Sequence, residues 1–205
     1  MAQTAQTTGS FFNAIKERRS IYGIGKQSPV SDQRILEIVQ EAVKYTPSSF
    51  NSQSARVVVL LGEHHDKLWD ITRDVLKAIV PADQFESTGQ KMDAFRSGYG
   101  TVLFFEDMKV IEGLQGQFPT YQDRFPVWAQ QSNGMLQLVV WTALEGEGLG
   151  ASLQHYNPLI DAKVKQQWNI PDSWELIAQM PFGQPTATPG DKQFQPLEER
   201  VKIFK

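Results

Sequence analysis

Apolar residues recur at helical spacing in some stretches of the chain and run together without interruption in others. Ile35, Ile38, Val39, Ala42 and Val43 follow the i, i+3, i+4 rule and predict a helix capped by Ser31 or Asp32. Pro47 closes it, because the residue before a proline is disfavoured in a helix. Arg56 to Leu61 is a continuous β-branched run, which predicts a strand buried on both faces. Leu68, Ile71, Val75, Leu76 and Ile79 predict a helix over 66–80, closed by Pro81, and residues 83–98 read as an exposed helix or loop. Thr101 to Phe105 is the second buried strand. Gly113 to Pro126 reads as a loop carrying Phe118, Tyr121 and Phe125, either a lid or substrate wall or packing over the core.

Val127 to Glu147 is the most hydrophobic helix, and Trp128, Met135, Leu138, Val139, Trp141, Thr142 and Leu144 occupy nearly its whole circumference. A helix apolar all round is central or lies in a subunit interface. Gly146, Gly148 and Gly150 release the chain into a short strand, 151–154. A helix over 158–168 and a last core strand over 174–180 follow, the strand ended by Pro181-Phe182-Gly183.

At the start, residues 1–9 read as a disordered lead. Ser10 caps a first helix, 11–19, that turns Phe11, Phe12 and Ile15 inward and carries Arg18 and Arg19 in its last turn, where cations suit the helix dipole. At the end, residues 184–205 form an extended arm whose Val201, Ile203 and Phe204 could add a short strand to a partner's sheet edge. No repeat or linker divides the chain, so 1–205 reads as a single domain. Four or five strands interleaved with longer helices leave α+β and α/β open.

Composition removes several classes of function. A net charge of −3 with a pI near 5.6 offers no electrostatic footprint for nucleic acid. The absence of cysteine excludes disulfides, thiolate nucleophiles and cysteine-ligated metals. The N-terminus has no apolar signal core, and the longest apolar run, Leu136 to Leu144, falls short of the roughly 18 residues a membrane span needs, so no membrane partner and a cytoplasmic location are expected.

The candidate chemistry is sparse. His64 and His65 are adjacent at a helix start, cannot chelate as an i, i+4 pair would, and read as solvated. His155 follows a strand and either touches a ligand or caps a turn. Neither a nucleophile elbow nor a P-loop is present, and Gly146-Glu147-Gly148-Leu149-Gly150 lacks dinucleotide spacing. The pairs Glu106/Asp107 and Glu198/Glu199 read as solvated charges. The loop from Lys44 to Arg56 is rich in hydroxyls and amides, a reasonable lining for a small-molecule pocket. Cationic, polar and aromatic groups without a nucleophile or metal suit chemistry carried by a bound organic cofactor.

Glu17-Arg18-Arg19-Ser20, then Pro47-Ser48-Ser49-Phe50-Asn51-Ser52-Gln53, then Gly148-Leu149-Gly150 before a short strand, and a closing basic arm, form an ordered set. It resembles the FMN-dependent nitroreductase family. Thr46 to Gln53 together with Leu153-Gln154-His155-Tyr156-Asn157 is similar to the compact fatty-acid-repression-mutant-like subgroup, over nearly the whole chain from Phe11 to Phe204. The resemblance implies an α+β fold: a mixed sheet flanked by helices, with the long central helix and the C-terminal arm at a homodimer interface. It also implies bound FMN. NADH or NADPH would deliver hydride to flavin N5, and a nitroaromatic or quinone-like acceptor would then take the electrons from the same place, a ping-pong scheme with no essential side-chain nucleophile.

The same resemblance assigns the site residues. Arg18 and Arg19 meet the ribityl phosphate and the N1–C2=O edge, and Ser20 donates to phosphate or ribityl oxygens. Pro47, Ser48, Ser49 and Asn51 approach the ribityl and ring edge, the Pro47-Ser48-Ser49 part coming from the second subunit, and Gln53 contacts ring or ribityl. Gln131 either contacts flavin or pairs across the interface. Leu153, Gln154 and His155 pass the flavin near N5, and Arg200 grips phosphate. Glu198 stands where many relatives carry lysine, so Lys192 and Lys202 are substitutes for that grip. Two rival readings are a non-catalytic flavin-binding redox sensor and a colourless interaction module without cofactor.

Overall fold

Val102-Leu103-Phe104-Phe105 is apolar at every position because its strand has a helical layer on each side. The computed structural model describes residues 2–205, with side chains from Gly9 onward. In chain order the elements are α1 (Ala2–Glu17), β1 (Ile24–Gly25), α2 (Asp32–Tyr45), β2 (Ala55–Leu61), α3 (Glu63–Lys77), α4 (Phe85–Arg96), β3 (Gly100–Asp107), α5 (Met108–Gln117), α6 (Phe125–Gly146), β4 (Gly150–Ala151), α7 (Asp161–Trp168) and β5 (Trp174–Pro185). The sheet runs β1-β5-β3-β2, with β4 also paired to β5. Side chains alternate across β3: Val102 and Phe104 pack with α2 and α6, while Leu103 and Phe105 pack with α3, α4 and α7.

The expected α+β class with flanking helices is borne out. The ladders are antiparallel, and the parallel component is an isolated bridge between Ser20 and Ala151. Strand β2 is only half-buried rather than covered on both faces, because it is the sheet edge. Strand β5 does not stop at Pro181: it runs on to Pro185, where it pairs with β1 and β4. Close approach there requires a glycine, since a Cβ on Gly183 would run into the Gly25 carbonyl and lie 2.8 Å from Tyr99 N.

Other differences lie at the ends and on the surface. Helix α1 takes in residues 2–9, for which a disordered lead is expected, and ends at Glu17, so Ser10 is internal and Arg18 and Arg19 follow the helix. Phe11 and Phe12 point outward, 61% and 53% exposed, instead of into the core. The aromatic stretch after Gly113 is not a loop; it completes α5, makes one 3-10 turn (Pro119–Tyr121) and opens α6. The arm has no strand at Val201 to Phe204, only a 3-10 turn at Leu197–Glu199.

His65 is buried, not solvated. Its Nδ1 lies 2.8 Å from Thr101 Oγ1 and its Nε2 lies 3.3 Å from the Arg96 carbonyl. Burial pushes its pKa down from 6.5 to about 4. The stability from keeping this ring neutral is therefore present above pH 6.5 and lost as pH falls towards 4. A shift of this size corresponds to about 3 kcal/mol. Urea unfolding of wild type and His65→Gln should give free energies that converge by about that amount on acidification across this window. Parallel pH profiles would contradict it.

Candidate functional site

The loop after α2 is held open by its own hydroxyls. Helix α2 ends at Thr46, whose backbone N–H bonds Ala42, and Pro47 follows. Phe50, Asn51 and Gln53 all adopt left-handed backbone, with φ of 56°, 50° and 48°. Three such non-glycine residues together are costly and persist only where neighbours fix them. Here Gln53 N–H donates to Ser48 Oγ at 2.9 Å, and Ser49 N–H donates to Ser132 Oγ of α6 at 3.4 Å. Phe50 stands over an aromatic cluster of Phe118, Phe125 and Trp128, stacked on Trp128 at 5.9 Å between centroids. The turn thus presents exposed Pro47, Asn51 and Gln53, with Ser48 and Ser49 half-buried.

A second group of donors gathers at the other end of α6. Glu145 Oε2 accepts the Arg19 backbone N–H at 2.7 Å, and Glu145 Oε1 accepts the Trp141 indole N–H at 2.8 Å. The Arg18 guanidinium lies 4.3 Å over the Trp141 ring, a cation–π contact. Burial pushes the Glu145 carboxyl up from its ordinary value, opposed by the Arg19 and Trp141 hydrogen bonds and by the Arg18 charge. Ser20 bridges Ala151, and Ile21 N–H donates to the Ala151 carbonyl at 2.9 Å, which brings the Arg18-Arg19-Ser20 segment beside the chain leading to Leu153. Arg19 also reaches the arm, donating to the Gly190 carbonyl at 2.5 Å.

The expected site residues therefore fall into two sets. Arg18, Arg19, Ser20 and the Leu153–His155 segment form one, with Gln154 buried and His155 exposed. Pro47 to Gln53 form the other, tied to α6 through Ser132, while Gln131 is exposed on that helix with no hydrogen bond to the loop among the described residues. Ser132 and Glu145 lie roughly 20 Å apart at about 1.5 Å of helix rise per residue. Arg200 is exposed on the arm, as are Glu198, Lys192 and Lys202.

Three supports are absent from the sequence reading. Glu145 is a lone acid near the end of an apolar helix, four residues after Trp141, and that spacing is the signal that could have found it. Glu106 is not a solvated charge; it is 1% exposed in β3, accepting from Asn133 Nδ2 at 2.7 Å, and burial pushes its carboxyl up against the opposing dipoles of Ser54 and Asn133. Ser132 is one polar residue among many on its helix, and its sequence surroundings carry no signal.

Comparison with known proteins converges on one family. Residues 15–184 match the family model described as Nitroreductase family. The putative nitroreductase HBN1 of Saccharomyces cerevisiae is 40% identical over 198 residues, 95% of this chain and 97% of that protein. Nitroreductase CinD from Lactococcus lactis, solved with nicotinic acid, superposes with a TM-score of 0.89 at 44% identity, over 95% of this chain and 100% of the other. A more distant protein from Desulfovibrio desulfuricans, solved with FMN, shares the fold with a TM-score of 0.69 at 21% identity, over 95% of this chain and 97% of that one. The chain belongs to the nitroreductase family and is an oxidoreductase. The resemblance read from Arg18-Arg19-Ser20 and the Pro47 loop is borne out at family level.

Proposed function

We propose that this oxidoreductase is a cytoplasmic homodimer that binds FMN, takes hydride from NADH or NADPH, and reduces a nitroaromatic or quinone-like acceptor. The observation that carries the reading is the separation of the two donor sets along α6, with apolar Met135, Leu138 and Val139 exposed on that helix. Two copies packed through this face bring the Pro47 loop of one protomer towards the arginines of the other, and an isologous interface makes two equal sites. The exposed Phe11 and Phe12 and the apolar arm residues Phe194, Ile203 and Phe204 add surface for such a partner.

The residues present fit FMN. A groove of about 640 Å3 runs between α2 and α6 from Pro47 to Glu147, lined by Ile38, Tyr45, Val139 and Ala143. A neighbouring cleft of about 200 Å3 is lined by Arg18, Thr142 and Glu145, and the buried Thr142 Oγ1 has no hydrogen-bond partner among the described residues. Guanidinium groups suit a phosphate or an electron-rich ring edge, hydroxyls and amides suit a ribityl chain, and an apolar groove suits a flat ring. Arg18, Arg19 and Ser20 would hold one end of the group, and Ser48, Ser49, Asn51 and Gln53 of the partner the other. Bound FMN supplies reversible hydride acceptance, which no side chain of this chain can provide. The protein's own part is to bind, orient and exclude water, with Glu145 and Trp141 fixing the arginines.

Anaerobic turnover with NADH or NADPH and a nitroaromatic tests the reading. Parallel double-reciprocal lines are expected from a shared site. Flavin-loaded protein without turnover would instead favour a redox sensor.

A further inference from the structure

Beneath the Pro47 loop lies a small cavity of about 20 Å3, lined by Thr46, Pro47, Ser48, Ser54, Glu106 and Ser132 among others. Two of these lining residues each carry a buried polar atom, Glu106 Oε2 and Thr46 Oγ1, without a hydrogen-bond partner among the described residues. They are unusual company for each other. The Ser54 hydroxyl also acts on the Glu106 carboxyl, but no donor of the described residues meets Oε2 with hydrogen-bond geometry, and an unpartnered carboxyl oxygen is expensive inside a protein. Nor is the other carboxylate oxygen free to help. Glu106 Oε1 accepts from Asn133 Nδ2 at 2.7 Å; that amide also donates to the Phe105 carbonyl at 3.1 Å, and its oxygen accepts from Gln137 Nε2 at 2.7 Å. Glu106 is thus fixed on one side and open on the other, towards the loop.

The volume identifies the occupant. A water needs at least about 10–15 Å3 of such space and two to four polar partners, and this cavity fits one water and no larger ligand. A water molecule can donate to Glu106 Oε2 and accept from the Thr46 hydroxyl, which satisfies both orphans at once. We propose that the cavity is a binding site for a single ordered water, and that through it Glu106 is the positioning residue of the loop at residues 46–54. The left-handed turn at Phe50, Asn51 and Gln53 needs a rigid floor, and Glu106, anchored by Asn133 and Gln137 on α6, supplies one from β3. Thr46 is the first residue past α2, so the water ties the helix end to the sheet. The consequence for flavin binding rests on the functional reading above; the water site and its effect on the loop do not.

Thr46→Val removes the hydroxyl at nearly constant volume and leaves the backbone cap to Ala42 in place, and Thr46→Ser is its rescue. Crystal structures of the flavin-free protein should show one water within hydrogen-bond distance of Glu106 Oε2 and Thr46 Oγ1 in wild type and Thr46→Ser, and none in Thr46→Val. Amide hydrogen exchange of the flavin-free protein should be about tenfold faster at Asn51, Ser52 and Gln53 in Thr46→Val, with Thr46→Ser like wild type and exchange in β3 unchanged. Affinity for added FMN should fall about tenfold in the same variant, the equivalent of losing one hydrogen bond. A dry cavity in wild type overturns the site. Loss of the water with unchanged loop exchange overturns the positioning role. Wild-type protein that binds no FMN defeats the functional reading, and the exchange measurement still decides this one.

Discussion

Replacing Arg18 and Arg19 together with alanine should lower affinity for FMN by at least about 100-fold while leaving the fold intact. Each guanidinium is a charge-assisted donor worth about 1.5–3 kcal/mol to a phosphate or ring oxygen, and neighbouring losses do not add fully, so two orders of magnitude is the lower bound. The backbone survives the change, because Glu145 holds Arg19 through its main-chain N–H and not through its side chain. What is lost is the Arg18 stack on Trp141 and the Arg19 tie to Gly190 of the arm. Exposed or half-exposed contacts of this kind contribute little to stability, so the thermal midpoint should move by only a few degrees. Lysine at both positions should recover only part of the affinity, since it keeps the charge and loses the planar fork. Equilibrium titration of flavin-free protein with FMN decides it, and unchanged affinity in the double variant would remove these residues from the site.

The largest loss of stability is expected at Phe104. Its side chain is fully buried in the layer shared by β3, α2 and α6, among Ile35, Leu136, Val140 and Met180. Truncation to alanine removes apolar contacts and leaves a cavity that rigid neighbours on both strands and helices cannot close. The cost should be about 3–5 kcal/mol, read from urea unfolding at a fixed protein concentration so that any self-association is held constant. A cost below about 1 kcal/mol would mean the layer repacks freely.

Much of this fold is written in local pattern. The helical spacing from Ile35 to Ala42, the Ser31 cap and the Pro47 stop all appear as expected, because each is settled within a few residues. Thr101 to Phe105 reads correctly as a buried strand, because β3 lies inside the sheet with a helical layer on each face. The errors arise where partners far along the chain decide. β2 carries the same kind of run as β3 but lies at an edge, and nothing within Arg56 to Leu61 encodes its place in the sheet order. Phe11 and Phe12 look like core residues and are exposed, because helical spacing marks an apolar face without encoding what covers it. His65 and Glu106 were legible only as polar letters; Thr101, Arg96 and Asn133, which accommodate them inside, come from distant segments.

The candidate site is legible in a different way. The two motifs at Arg18-Arg19-Ser20 and Pro47 to Gln53 stand out as short ordered words, and the family assignment agrees with them. Their separation along α6 was not legible, because it depends on where the helix sits and not on sequence distance. Glu145 and Trp141, which hold the arginine segment, were visible only as members of a hydrophobic helix. Groups that contact a ligand are often marked by residue type, whereas groups that position them are marked by geometry.

One measurement bears most directly on the central claim: the visible absorption spectrum of the purified protein after incubation with FMN and removal of the excess, recorded under nitrogen before and after NADH and NADPH. A retained flavin band that bleaches with either nucleotide and returns when a nitroaromatic is added is the predicted result. A colourless protein, or a flavin band that neither nucleotide bleaches, would contradict the proposal that this oxidoreductase works through FMN and a nicotinamide donor.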